Sequence, residues 1–140
     1  MKRYVMGVAY HGKKYFGWQI QPEDITVQAH IQHALEQFTQ LPLKVTCAGR
    51  TDRGVHAAQQ CIHFDADLDR PTHSWVKGTN AFLPKDIQVL WHREVDRDFH
   101  ARFSATSRRY CYLVKQNEPI KVLWQGSAYV VSEKLNIKKM

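Results

Sequence analysis

The chain has 140 residues, of which 44% are apolar and 11% aromatic, and its 20 basic against 13 acidic residues leave a formal charge of +7. That length supports one domain with its own core, and this composition excludes a disordered chain. The basic excess suits a polyanionic partner such as RNA, and it equally suits membrane-surface binders.

The first residues alternate, without the apolar stretch of a signal peptide, and no window is long enough to span a bilayer. Cys47, Cys61 and Cys111 are odd in number and far apart, each in an apolar strand-like run, which predicts buried free thiols in a reducing compartment. The expectation is a cytoplasmic protein that engages no membrane.

Over residues 4–10, Tyr4, Met6, Val8 and Tyr10 share one side and Val5, Gly7 and Ala9 the other, which predicts a strand. Residues 11–24 hold Gly12, Gly17 and Pro22 and read as a loop. Thr26 is a candidate N-cap for a helix whose apolar face is Val27, Ile31, Ala34, Leu35 and Phe38, ending before Pro42. Short β-rich runs at 43–48 and 59–64 follow, then a weaker helix at 72–82. A strand at 86–95 carries Ile87, Val89 and Trp91 together, and a last strand is read at 108–115, with Tyr110 and Tyr112 on one face. The order βαββαβ, then a further strand, predicts an α+β fold. It would be a ferredoxin-like or RNA-recognition-like antiparallel sheet with helices on one face and the other face open to a ligand.

Between the runs at 43–48 and 59–64 lies Gly49-Arg50-Thr51-Asp52-Arg53-Gly54-Val55-His56-Ala57, one carboxylate among two arginines and two glycines. A nearby cation favours the ionised carboxylate, and glycines permit close backbone approaches. The pattern describes a nucleophile or a structural ion pair on a basic surface. Arg50 falls on the same side as Asp52 if the backbone stays extended. Elsewhere, His30 and His33 have a metal-compatible spacing, but no carboxylate or cysteine at a fitting interval accompanies them. Asp65-Ala66-Asp67-Leu68-Asp69 lacks the glycine and distal glutamate of a calcium loop and reads as a solvated turn. No metal site is expected.

The segment 49–57 closely resembles the catalytic motif of the TruA family of tRNA pseudouridine synthases, Gly-Arg-Thr-Asp-x-Gly-Val-His-Ala, with Arg53 at its single free position. A second stretch, Asp98-Phe99-His100-Ala101-Arg102-Phe103-Ser104-Ala105-Thr106-Ser107-Arg108-Arg109-Tyr110-Cys111-Tyr112, resembles the family's segment bearing its base-stacking tyrosine. Tyr15-Phe16-Gly17-Trp18-Gln19 and Asn80-Ala81-Phe82-Leu83-Pro84 are lesser echoes.

The resemblance implies a cofactor-free isomerase that converts uridine to pseudouridine at positions 38, 39 and 40 of the tRNA anticodon arm, acting as a homodimer. It makes Asp52 the nucleophile, Arg50 its ionic partner and Tyr110 the stacking platform; His56, Arg102 and Arg108 are further candidate substrate contacts, as is Arg53, whose variable position makes solvent or phosphate contact the default. For His56 a loop-ordering hydrogen bond is the expected role rather than proton transfer. Lys13, Lys14, Arg70, Lys77, Lys85, Arg102, Arg108 and Arg109 are candidates to track an RNA stem. Family members are nearly twice this length and built from two similar halves. Residues 1–131 are therefore expected to form the N-terminal catalytic domain, and residues 132–140 the start of a helix leading into a second half. The rivals are a non-catalytic RNA-binding module and a small metal-dependent hydrolase.

Overall fold

In the computed structural model, which describes residues 1–116 and 121–140, the first alternating run forms β1 (Lys2–Tyr10). It is followed by α1 (Val27–Thr39), β2 (Thr46–Cys47), β3 (Ala57–Ala66), α2 (Thr72–Asn80) and β4 (Ile87–Val95). The strands pair in the order β2-β3-β1-β4, every neighbour antiparallel. This is the ferredoxin-like α+β arrangement.

Alternation in β1 sends Tyr4, Met6, Val8 and Tyr10 into one core with Ile62 and Phe64 of β3 and the apolar face of α1. Trp75 of α2 anchors that core, with its ring centroid 4.8 Å from that of Tyr4, 5.6 Å from Phe64 and 5.3 Å from Phe38. Both helices therefore lie on one face. Fully burying each such side chain stabilises the fold by about 1.5 to 3 kcal/mol.

Two local features depart from the simple pattern. Thr26 occupies the N-cap position, but its buried hydroxyl makes no capping bond. The first helical N–H groups go instead to the preceding loop, Val27 N to Gly17 O at 3.2 Å and Gln28 N to Trp18 O at 3.0 Å, which ties α1 to residues 17–18. In β4 the expected common side of Ile87, Val89 and Trp91 is broken. Val8 pairs with Val89 but Gly7 with Trp91, so Leu90 is an extra residue and the parity reverses. Trp91 then crosses the outer face over Gly7, where any Cβ would strike its indole, and His92 turns inward beside Met6. The Asn80 carboxamide secures this edge by donating to Val89 O at 2.9 Å and accepting from Val89 N at 2.8 Å.

Contacts divide the chain into two compact units, Met1–Ser107 and Arg108–Met140. In the second, the strand expected at 108–115 shrinks to β5 (Val114–Gln116), which pairs in parallel with β6 (Tyr129–Val131). Residues 108–113 belong to no strand, since a strand needs a continuous ladder of backbone bonds and the one to β6 begins only with the Leu113 carbonyl, which accepts from Tyr129 N at 2.8 Å. Cys111 is consequently exposed, against the expectation of three buried thiols; Cys47 is buried and Cys61 half-buried. At the end of the chain Ile137–Lys139 make one 3-10 turn, begun by Asn136, whose side chain accepts from Lys138 N at 3.1 Å. No described helix is long and apolar enough to cross a membrane.

Candidate active site

The connection from β2 to β3 emerges where Tyr10, the last residue of β1, pairs with Ala57, the first of β3. The chain leaving β1 therefore runs beside residues 49–56 and braces them. Trp18 N donates to Thr51 O at 2.9 Å, Gly54 N donates to Tyr15 O at 3.3 Å, and the Tyr10 and Thr51 hydroxyls share a 2.7 Å bond. Gln60 clamps the loop's start through both the N–H and the carbonyl of Gly49. Burial raises the Tyr10 hydroxyl above its ordinary pKa, so it remains a neutral hydrogen-bonding group.

Two glycines allow this closeness. A Cβ on Gly12 would collide with the Val55 carbonyl. Gly17 has φ +87°, and a Cβ there would lie 2.9 Å from Thr51 O and 3.3 Å from Arg53 N, backbone atoms with no room to yield. Gly54 is the control, with φ +79° and nothing within 4 Å of an added Cβ. We expect Gly17→Ala to lower stability by about 2 kcal/mol or more, and Gly54→Ala by only the left-handed backbone cost of about 1 kcal/mol. Urea denaturation of the two variants measures the difference, and equal losses would refute the brace.

On this loop Asp52 is exposed, its carbonyl accepting from Val55 N at 3.2 Å to close the turn. Arg50 is exposed too, and among the described residues neither Arg50 nor Arg53 forms an ion pair with Asp52. The Arg53 guanidinium instead lies 4.2 Å from the centre of the Phe16 ring. His56 Nδ1 accepts from Gly12 N at 2.8 Å and its ring packs 4.1 Å from His11, so the imidazole orders the loop. Thr51 is occupied in the same way.

The first part of the second motif lies on the outer face of the sheet, which is thus partly covered rather than wholly open. Ala101 is buried and its N–H donates to His63 Nδ1 at 3.1 Å, while Arg3 donates to the carbonyls of Arg97 at 2.6 Å and Phe99 at 2.9 Å. Burial is the main reason that the His63 imidazole is held below its ordinary pKa, with Arg3 and His100 adding to it. Phe103 is 77% exposed, its ring 4.3 Å from His100 and 5.7 Å from the Arg102 guanidinium. Arg108 and Tyr110 belong to the second unit, where Tyr110 is 72% exposed.

Other features have structural partners. Asp65 sits in β3 in a two-pronged pair with Arg3, both bonds 2.8 Å, which holds its carboxyl below the usual range. Asp69 meets Lys2 at 3.0 Å, and Arg70 covers Phe38 on the helical side. Among the described residues no three His, Cys, Asp or Glu side chains converge as a metal site would require. A depression of about 740 Å³ lined by Glu94, Asp96 and Asp98 has the wrong charge for a phosphate chain.

Comparison of sequences places this fold, with Asp52 exposed on a β-to-β connection, among known proteins. A tRNA pseudouridine synthase family model matches residues 6–104, from the first strand through the turn that covers the outer face. The chain belongs to the tRNA pseudouridine synthase family. It is 48% identical over 142 residues to the tRNA pseudouridine synthase A of Bordetella parapertussis, a match covering all of this chain and 53% of that protein. To the protein of the same name from Methylibium petroleiphilum it is 50% identical over 126 residues, covering 90% of this chain and 48% of that one. For Shewanella woodyi the figures are 53% over 112 residues, 80% and 43%. The chain thus spans about half the length of the curated relatives it matches.

Family membership gives the brace a context that residue-by-residue reading missed. Tyr15-Phe16-Gly17-Trp18 registers in the sequence only as an echo, yet its backbone braces the Asp52 loop and its Phe16 ring carries Arg53. The available signal was the spacing of Gly12 and Gly17 immediately after a strand.

Proposed function

We propose that Asp52 is the nucleophile of tRNA pseudouridine synthesis and that this chain is the half of the enzyme presenting it. The observation that carries the reading is the complete Gly-Arg-Thr-Asp-x-Gly-Val-His-Ala motif on a braced loop where Asp52 is exposed. The reaction breaks the bond from ribose C1′ to uracil N1, turns the base, and joins C1′ to C5. A proton leaves C5 and one is gained at N1, so no oxidant, reductant or cofactor enters.

Asp52 acts on the ribose or on the base ring; Arg50, which makes no ion pair with Asp52 among the described residues, becomes its partner when RNA is bound and fills the space of the extruded nucleotide, and Tyr110 stacks on the uracil. An exposed carboxylate is reached only by a base out of its stack, and unstacking costs about a few kcal/mol. An aromatic face recovers part of that without using the hydrogen bonds of the base. The substrate is the tRNA anticodon arm at positions 38, 39 and 40, the full-length protein acts as a cytoplasmic homodimer, and its positive charge favours RNA association.

The test is tRNA carrying tritium at uracil C5, since the new carbon bond expels that hydrogen. This chain alone releases little label, because the relatives it matches are about twice as long. Joined to the remaining half of the Bordetella parapertussis protein, it turns over. A joined protein that folds and binds tRNA without releasing label would make the chain an RNA-binding module and overturn the proposal.

A further inference from the structure

We infer that Phe16 and Arg53 form a preorganised phosphate clamp beside Asp52, gripping the backbone of single-stranded RNA next to the nucleotide under attack. The inference takes the location of the RNA from the Asp52 reading and adds to Arg53, a candidate contact in that reading, the Phe16 platform that fixes it and the phosphate as its target.

Arg53 follows Asp52 directly, so its Cα lies about 3.8 Å from that of the carboxylate residue, within the span of one nucleotide. Its guanidinium carbon sits 4.2 Å from the centre of the Phe16 ring, and among the described residues no carboxylate pairs with it. A free arginine carries about 2 kcal/mol of rotamer entropy that binding must remove. Resting on the ring, it has lost much of that freedom before RNA arrives. The ring contact leaves the N–H fork of Arg53, whose geometry matches two phosphate oxygens, without a carboxylate partner among the described residues.

The platform itself is fixed. Phe16 N donates to Ile25 O at 2.9 Å, Phe16 O accepts from Gln21 Nε2 at 2.9 Å, and the flanking residues Tyr15 and Gly17 are those that brace the Asp52 loop. Phe16 is nevertheless 37% exposed and Arg53 is exposed, so the pair lies at the surface. Carboxylate and clamp therefore belong to one rigid piece. A phosphate held there places the neighbouring ribose relative to Asp52, so Arg53 is a positioning residue.

The experiment measures the affinity of this chain for a fluorescein-labelled RNA hairpin with a uridine-containing loop, between about 50 and about 200 mM salt. Arg53→Ala is expected to reduce the slope of log affinity against log salt by about 0.7, the value for one single-stranded phosphate contact. Phe16→Leu keeps that slope and weakens binding about two- to fivefold, since it loses the ring face and not the charge. In the double variant Phe16→Leu adds nothing to Arg53→Ala, because the two residues act as a unit. Circular dichroism melts confirm that each variant folds. An unchanged slope in Arg53→Ala overturns the phosphate contact, and an additive or absent effect of Phe16→Leu overturns the clamp. Binding needs no turnover, so this outcome is independent of whether Asp52→Ala stops label release.

Discussion

Asp52→Ala, placed in a full-length enzyme built on this chain, should lower tritium release from uracil C5 by about 10⁴-fold or more, the scale seen when a nucleophile is deleted. The structure makes this a clean test of chemistry. Asp52 is exposed and forms no ion pair among the described residues, and the hydrogen bond closing its turn comes from its carbonyl, which alanine retains. Stability should therefore stay within about 0.5 kcal/mol of the parent. Asp52→Asn keeps the shape and loses the anion, so it should be as inactive as the alanine variant while binding tRNA at least as well. Release above about 1% of the parent rate from either folded variant would contradict a nucleophilic role, since deleting a catalytic nucleophile costs about 10⁴-fold or more.

How much of this was legible in the sequence differs by element, for physical reasons. Alternation over Tyr4 to Tyr10 and the helical spacing of Val27, Ile31, Ala34, Leu35 and Phe38 are direct imprints of a buried face, and both elements form where expected. Alternation groups Trp91 with Ile87 and Val89, whereas the structure turns it to the other face, because a one-residue bulge leaves no mark in composition yet reverses every side chain after it. The β-rich run at 108–115 predicts a strand longer than the one that forms at Val114–Gln116, because such a run states a propensity, while a ladder also needs a neighbour. The Asp52 loop was visible as a motif, but its support was not. The brace consists of backbone bonds from Trp18 and Gly54 and of space left by glycine, and neither depends on a side-chain pattern. Arg53 illustrates the same limit from the other side. Its motif position tolerates any residue, so only the fold brings it against Phe16.

Acid should unfold the chain through His92, with a loss of up to about 3 kcal/mol as pH falls from about 6.5 to about 4. The bulge in β4 turns this imidazole into the core, where it is 4% exposed, stacked 5.0 Å from Trp75 and 4.9 Å from Tyr4. Neither ring nitrogen has a hydrogen-bond partner among the described residues, so a proton there would be buried without compensation. Burial pushes its pKa down to about 4 from the ordinary 6.5, against a weaker upward pull from Glu94. Above about 6.5 both folded and unfolded states hold the ring neutral, and it has no effect on the balance. Between the two values only the unfolded chain takes up the proton, so stability falls with pH; below about 4 both states are protonated and this contribution is flat. His63, also lowered by burial, adds to the same acid sensitivity, whereas the Arg3–Asp65 pair loses its contribution only below the ordinary carboxylate range. His92→Phe keeps an aromatic ring against Trp75 and removes the proton site. Urea denaturation across this pH window should show a shallower decline for the variant and greater stability than the parent at the acid end; parallel curves would mean that the acid sensitivity arises elsewhere.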